Sequence, residues 1–172
     1  MFKKIKQKKI QGFTLVEMMI YLALMTIIAV VIVQSIVIVL KSNRKGFAES
    51  NLRNAAYSAL EAIVRELHAS DSIIIATDGL LQLNQTNPIV NIVQFSTSSD
   101  ARLNLFEGGS TSTLSYLGPL ISKDVIVKSL IFFPINTGKS QAVKIQMNLT
   151  TTVDGQTKSE WFYDTAILKG SY

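Results

Sequence analysis

The chain has 172 residues, 48% of them hydrophobic and 17% charged; that length allows one ordinary domain plus an appendage, and the composition excludes a disordered or highly solvated chain. It has no cysteine, which excludes a disulfide framework, a thiolate zinc site, an iron–sulfur cluster and a cysteine nucleophile, and leaves the redox compartment unread. The formal net charge is +5, a balance that points to nucleic acid or anionic lipid only if the excess belongs to a folded surface.

The excess lies elsewhere. Lys3, Lys4, Lys6, Lys8 and Lys9 fall within the first nine residues, and Glu17 is the first acidic residue. With 17 basic and 12 acidic side chains in all and five of the basic ones in this tail, residues 13–172 balance at 12 against 12. Next, residues 18–40 form a run of 23 without a charge, interrupted by the mildly polar Tyr21, Thr26, Gln34 and Ser35. As a helix the run spans about 34 Å, enough to cross a hydrocarbon core of ~30 Å. Five lysines precede it, against Lys41, Arg44 and Lys45 after it, so the flanking charge predicts a cytoplasmic N-terminus. A secretory signal has a shorter apolar region followed by a small-residue cleavage site. Neither occurs here, and the segment is expected to stay with the mature protein.

Between the basic tail and the apolar run stands Gly12-Phe13-Thr14-Leu15-Val16-Glu17, and Glu17 is the only acidic or basic side chain in residues 11–40. A carboxylate at the lip of a bilayer is costly and needs a partner. Thr14 and Glu17 have the spacing of a capping box, in which hydroxyl and carboxylate satisfy orphan N–H groups and the negative charge suits the helix dipole. That accounts for these two residues but not for the glycine, the lysines and the apolar run around them.

The combination resembles the N-terminus of type IV prepilins and pseudopilins. The resemblance implies that residues 1–12 are a leader ending in Gly12, that a prepilin peptidase cuts after it and methylates the new N-terminal Phe13, and that Glu17, in the fifth mature position, serves assembly. Independently of the family, such a cut would place a cation on Phe13 one turn before Glu17 and beside Glu17 of a staggered neighbour. Opposite charges at 4 Å attract by ~4 kcal/mol at an effective dielectric near 20, before desolvation. The pair can fix register between subunits, and the i, i+4 geometry also allows it within one chain.

Further along, Leu52, Ala56, Leu60, Ile63 and Leu67 recur at helical spacing, with Glu49/Arg53 and Glu61/Arg65 as i, i+4 pairs on the polar side. The pattern predicts an amphipathic helix over residues 47–69. No proline precedes Pro88, so the two helical segments can be continuous from Thr14 to Ala69, about 84 Å, with Gly46 as a place for a bend. The apolar stripe covers about two heptads, short for a coiled coil, and is expected to pack on the C-terminal region. Leu52-Arg53, Ala56, Leu60, Arg65-Glu66-Leu67 and Ala69 resemble minor pilins of the PilW, GspJ or ComGF kind, and Gln34 stands where major pilins often have proline.

In residues 70–172 the period becomes alternating. Val143, Ile145, Met147 and Leu149 alternate with polar residues as in a half-buried strand, and Asp154-Gly155 reads as a hairpin turn into a strand over 159–167, where Trp161 and Tyr163 share a face and are expected to pack. A strand over 125–133 is expected to end at Pro134, with weaker strands over 73–75, 89–95, 102–106 and 113–117. Polar residues 96–99 and 108–112 read as loop tips.

The fold class is therefore α+β: a basic leader (1–12), a transmembrane assembly helix (13–40), its amphipathic continuation (41–69) and a β-rich head (70–172). No catalytic constellation can be assembled. His68, the only histidine, falls at a helix end, and Asp71, Asp78, Asp100, Asp124, Asp154 and Asp164 are scattered as turn acids are. Neither an enzyme, a cofactor nor a metal site is expected, and a calcium site lacks loop spacing. Trp161 and Tyr163 could stack on a base, but no basic cluster interleaves with them, so nucleic acid is neither implied nor excluded. The resemblance implies a minor pilin or pseudopilin of a type IV pilus, competence pilus or type II secretion pseudopilus. Its partners would be other pilin subunits, the prepilin peptidase and N-methyltransferase, an inner-membrane assembly platform and the bilayer. The competing reading is a stand-alone, single-pass membrane-anchored binding protein with its β domain outside the cytoplasm.

Overall fold

The computed structural model describes residues 13–86, 89–138 and 140–169. The helix α1 spans Leu15–Ala69, followed by eight strands. The chain divides between Asn43 and Arg44 into two units.

In the first unit, α1 begins at Leu15 behind Thr14, whose hydroxyl accepts the N–H of Glu17 at 3.3 Å, an N-cap. From residue 18 to residue 40 every side chain is exposed, Met25 to 73% and Ile38 to 67%. A contiguous apolar surface of this extent needs lipid or protein around it, and α1 is the one helix among the described residues long and apolar enough to cross a membrane. Two polar side chains in the run are satisfied by their own helix: Thr26 donates to the Ala23 carbonyl (2.7 Å) and Ser35 to that of Val31 (2.8 Å). In hydrocarbon, where no water can solvate a hydroxyl, such bonds make these residues tolerable.

In the second unit, the remainder of α1 packs on two antiparallel meanders. One is the five-stranded sheet β1(Ser72–Thr77), β2(Leu80–Asn84), β3(Ile92–Thr97), β4(Leu103–Gly108) and β5(Ser115–Pro119); the other is β6(Val125–Asn136), β7(Gln141–Val153) and β8(Gln156–Ile167). Gly46 lies within α1 rather than ending it. Leu52, Ala56, Leu60, Ile63 and Leu67 are all buried, joined by Ala59 and Ala62. All but Ala62 enter one core with Leu81, Leu83, Val93, Phe95 and Leu103 of the larger sheet, and Val143, Ile145, Met147, Leu149 and Phe162 of the smaller. Helical period 3.6 against strand period 2 produces this single apolar interface, as the sequence pattern predicts.

The polar side of the helix departs from expectation. Rather than pairing with each other, Arg53 meets Glu160 (3.4 Å) and Glu49 meets Lys158, both on β8, while Arg65 takes its neighbour Glu66 (3.2 Å) instead of Glu61. Partners on an adjacent strand compete with the i, i+4 geometry, and here they prevail. At the end of α1, Ser70 donates to the Glu66 carbonyl (2.6 Å) and Gln85 to the Glu66 carboxylate (3.0 Å), closing the helix against the end of β2.

Several strand boundaries also differ. Pro134 does not end β6 but lies inside it, opposite Val143; β6 is an edge of its sheet, where a missing N–H costs no ladder bond. A bulge between Val127 and Ser129 shifts the phase of β6, so that Val125 and Val127, then Leu130 and Phe132, all face the core. The strand expected from residue 89 starts at Ile92, because its partner β2 ends opposite it at Asn84, and Ile89 is 82% exposed. Ser96 and Thr97 belong to β3 instead of a loop tip; the turn begins at Ser98, whose backbone N–H donates to the Arg102 carbonyl (2.9 Å). Strand β2 itself has no counterpart among the expected elements. The Asp154-Gly155 hairpin forms as read, with φ of 51° and 75° at its two central residues, the left-handed pair of a type I′ turn.

Candidate functional site

At the start of α1 four side chains converge. Thr14 caps the helix, but the return bond of a capping box is not made: the Glu17 carboxylate is taken by Tyr21, whose hydroxyl donates to Oε1 at 3.2 Å. The Tyr21 ring also meets the Phe13 ring edge-on, with centroids 6.1 Å apart and planes at 73°. Glu17 and Tyr21 are four residues apart and lie on one face of the helix; Phe13 precedes the N-cap and reaches this face through its ring contact with Tyr21. Glu17 is the one half-buried residue between Phe13 and Phe47, in a stretch where its apolar neighbours Val16 and Met18 are 65% and 56% exposed.

This arrangement is suited to presenting a charge. A carboxylate beside hydrocarbon loses water and requires donors in exchange. Tyr21 supplies one without neutralising the charge, leaving Oε2 for a cation. In the sequence Tyr21 stands out only as an interruption of the apolar run; its i, i+4 spacing from Glu17 is the available signal. Gly12, the other residue expected to matter at this end, lies outside the described residues.

His68 is exposed in the last turn of α1. Among the described residues, no three His, Asp or Glu side chains are grouped to hold a metal ion. Asp71 accepts both the backbone N–H (2.6 Å) and the hydroxyl (2.5 Å) of Thr86, and these bonds hold its carboxyl below the ordinary carboxylate range. It ties the strand after the helix to the end of β2, a structural duty. Asn91, Gln85 and Gly108 continue the same corner: Gln85 N–H donates to Asn91 (2.8 Å) and Asn91 N–H to Gly108 (3.0 Å).

Trp161 and Tyr163 do share a face, stacked at 6.2 Å with planes 14° apart, yet they are 45% and 60% exposed rather than packed in the core. Phe162 between them points inward, 7% exposed, and meets Tyr57 of α1 edge-on at 6.1 Å. The outer face of the smaller sheet therefore displays Phe133, Ile135, Trp161, Tyr163 and Ile167.

The family model described as the prokaryotic N-terminal methylation motif matches residues 7–33, the segment that contains Phe13, Glu17, Tyr21 and the first part of the apolar run. No curated protein and no solved structure matches the chain.

Proposed function

We propose that this chain, which carries the N-terminal methylation motif of type IV prepilins and pseudopilins, is a structural subunit of the minor pilin or pseudopilin kind. In this reading residues 1–12 are removed by a prepilin peptidase, Phe13 becomes the N-terminus and is methylated, and residues 13–40 anchor the chain in the cytoplasmic membrane with the β domain outside. Assembly then moves the helix from lipid into a bundle of like helices, where Glu17 receives the Phe13 amine of a neighbour, with an assembly platform at the membrane base. The role is structural and not catalytic.

The observation that carries the reading is the coincidence, in one 27-residue match, of the methylation motif with the first part of α1, where the apolar side chains of residues 15–33 are all exposed. Such a surface must be covered, and the motif's Glu17 supplies the charge that could set register within the cover. The test is Glu17→Ala in the full chain expressed with its native assembly machinery. Leader removal should proceed, whereas incorporation into filaments should fall sharply; incorporation at the wild-type level would remove the intersubunit role. The exposed Trp161 and Tyr163 favour a second reading, a stand-alone membrane-anchored binding protein. That protein would retain its N-terminal residues and not co-assemble.

A further inference from the structure

We propose that Tyr21 is the positioning residue for Glu17: its hydroxyl holds Oε1 and keeps the carboxylate on the helix face that the two residues share, so that Oε2 is presented to the amine of a neighbouring subunit. The inference rests on the subunit reading above and adds to it a residue that no feature of the motif assigns. Three observations carry it. The hydroxyl is 3.2 Å from Oε1. The ring is braced by Phe13, with centroids 6.1 Å apart. Glu17 is half-buried where its neighbours along the helix are exposed.

The chemistry is reciprocal. A phenol hydroxyl within an apolar run is itself short of partners, and a carboxylate in the same surroundings is short of donors. Their i, i+4 spacing satisfies both within one chain, before any neighbour arrives. Because the hydroxyl is neutral, the carboxylate keeps its net negative charge for a cation, which an internal ammonium partner would neutralise. Holding one rotamer in advance also removes part of the ordering cost when the second subunit docks.

The test uses the full-length cleaved chain in lipid bilayers, with the Glu17 carboxyl carbon labelled for solid-state NMR. Tyr21→Phe, which keeps the ring and removes the hydroxyl, should displace that resonance, and Tyr57→Phe should not. Incorporation into filaments should fall about tenfold in Tyr21→Phe, the size carried by one hydrogen bond to a charged group, and should not fall further when Tyr21→Phe is added to Glu17→Gln. An unmoved resonance overturns the proposal, as does an equal loss in both backgrounds, which would mean that the hydroxyl acts through a partner other than Glu17. Wild-type incorporation of Glu17→Gln would instead overturn the intersubunit pair, while the resonance still decides whether Tyr21 holds the carboxylate.

Discussion

Replacing Ile63 by Ala tests whether the second half of α1 is the keystone of the β-rich unit. Ile63 is fully buried and lies in the core shared by both sheets. The change removes three carbon groups at about 0.8 kcal/mol each, roughly 2.4 kcal/mol of transfer free energy. An incompletely collapsed cavity adds to this, within the ~2–5 kcal/mol span of such truncations. Alanine's better helix propensity returns only about 0.4 kcal/mol. The net expectation is a loss of about 2–4 kcal/mol, measured as a shift in denaturant midpoint at constant slope, with the full chain in detergent and Trp161 fluorescence as the probe. Val31→Ala, in the same helix but 56% exposed, is the control and should change the midpoint by less than about 0.5 kcal/mol. A loss below about 1 kcal/mol at Ile63, or an equal loss at Val31, would refute the placement of this core.

Other perturbations separate strong from weak contributions. Gly108→Ala would set a Cβ 2.4 Å from the Thr113 carbonyl oxygen; backbone must move, and a loss of about 1–3 kcal/mol in the same unfolding assay is expected. Glu160→Ala removes the partner of a largely exposed Arg53, so its cost should stay below about 1 kcal/mol and shrink in high salt. Asp71 has its carboxyl pKa lowered from 3.8 by the hydroxyl and then the N–H of Thr86. Its folded value lies below its unfolded one, so its stabilisation is present above 3.8 and is lost as pH falls through the folded value. Unfolding of wild type and Asp71→Asn should therefore differ at neutral pH and converge in acid; a difference that grows in acid would contradict the Thr86 contacts.

The helix and its buried face were legible because one signal decided both: apolar residues at spacings of three and four, from Leu52 to Leu67, can face a core only as a helix. Strand β7 was equally plain, since Val143 to Leu149 alternate beneath α1. Strand β2 was not: Leu81-Gln82-Leu83-Asn84 alternates, but over a run too short to stand out, and the polar Gln82 of the pattern is itself buried. Its second face holds Gln82 against Gln94, donating at 3.3 Å, a pair visible only once the register is known. Pro134 misled for a related reason: proline breaks an interior ladder, and nothing local told that β6 is an edge. At the N-terminus the order is reversed. The motif around Glu17 stood out by residue identity, while Tyr21, its actual hydrogen-bond partner, was hidden among the apolar residues because a tyrosine in a membrane run is unremarkable until its hydroxyl has somewhere to go.

The central claim is that the chain is a processed, assembling subunit, and the mass of its N-terminus in the native membrane tests it most directly. The account predicts a mature polypeptide beginning at Phe13 and carrying one methyl group on its α-amine. A chain that keeps Met1 or Phe2 at its N-terminus in the membrane would contradict it.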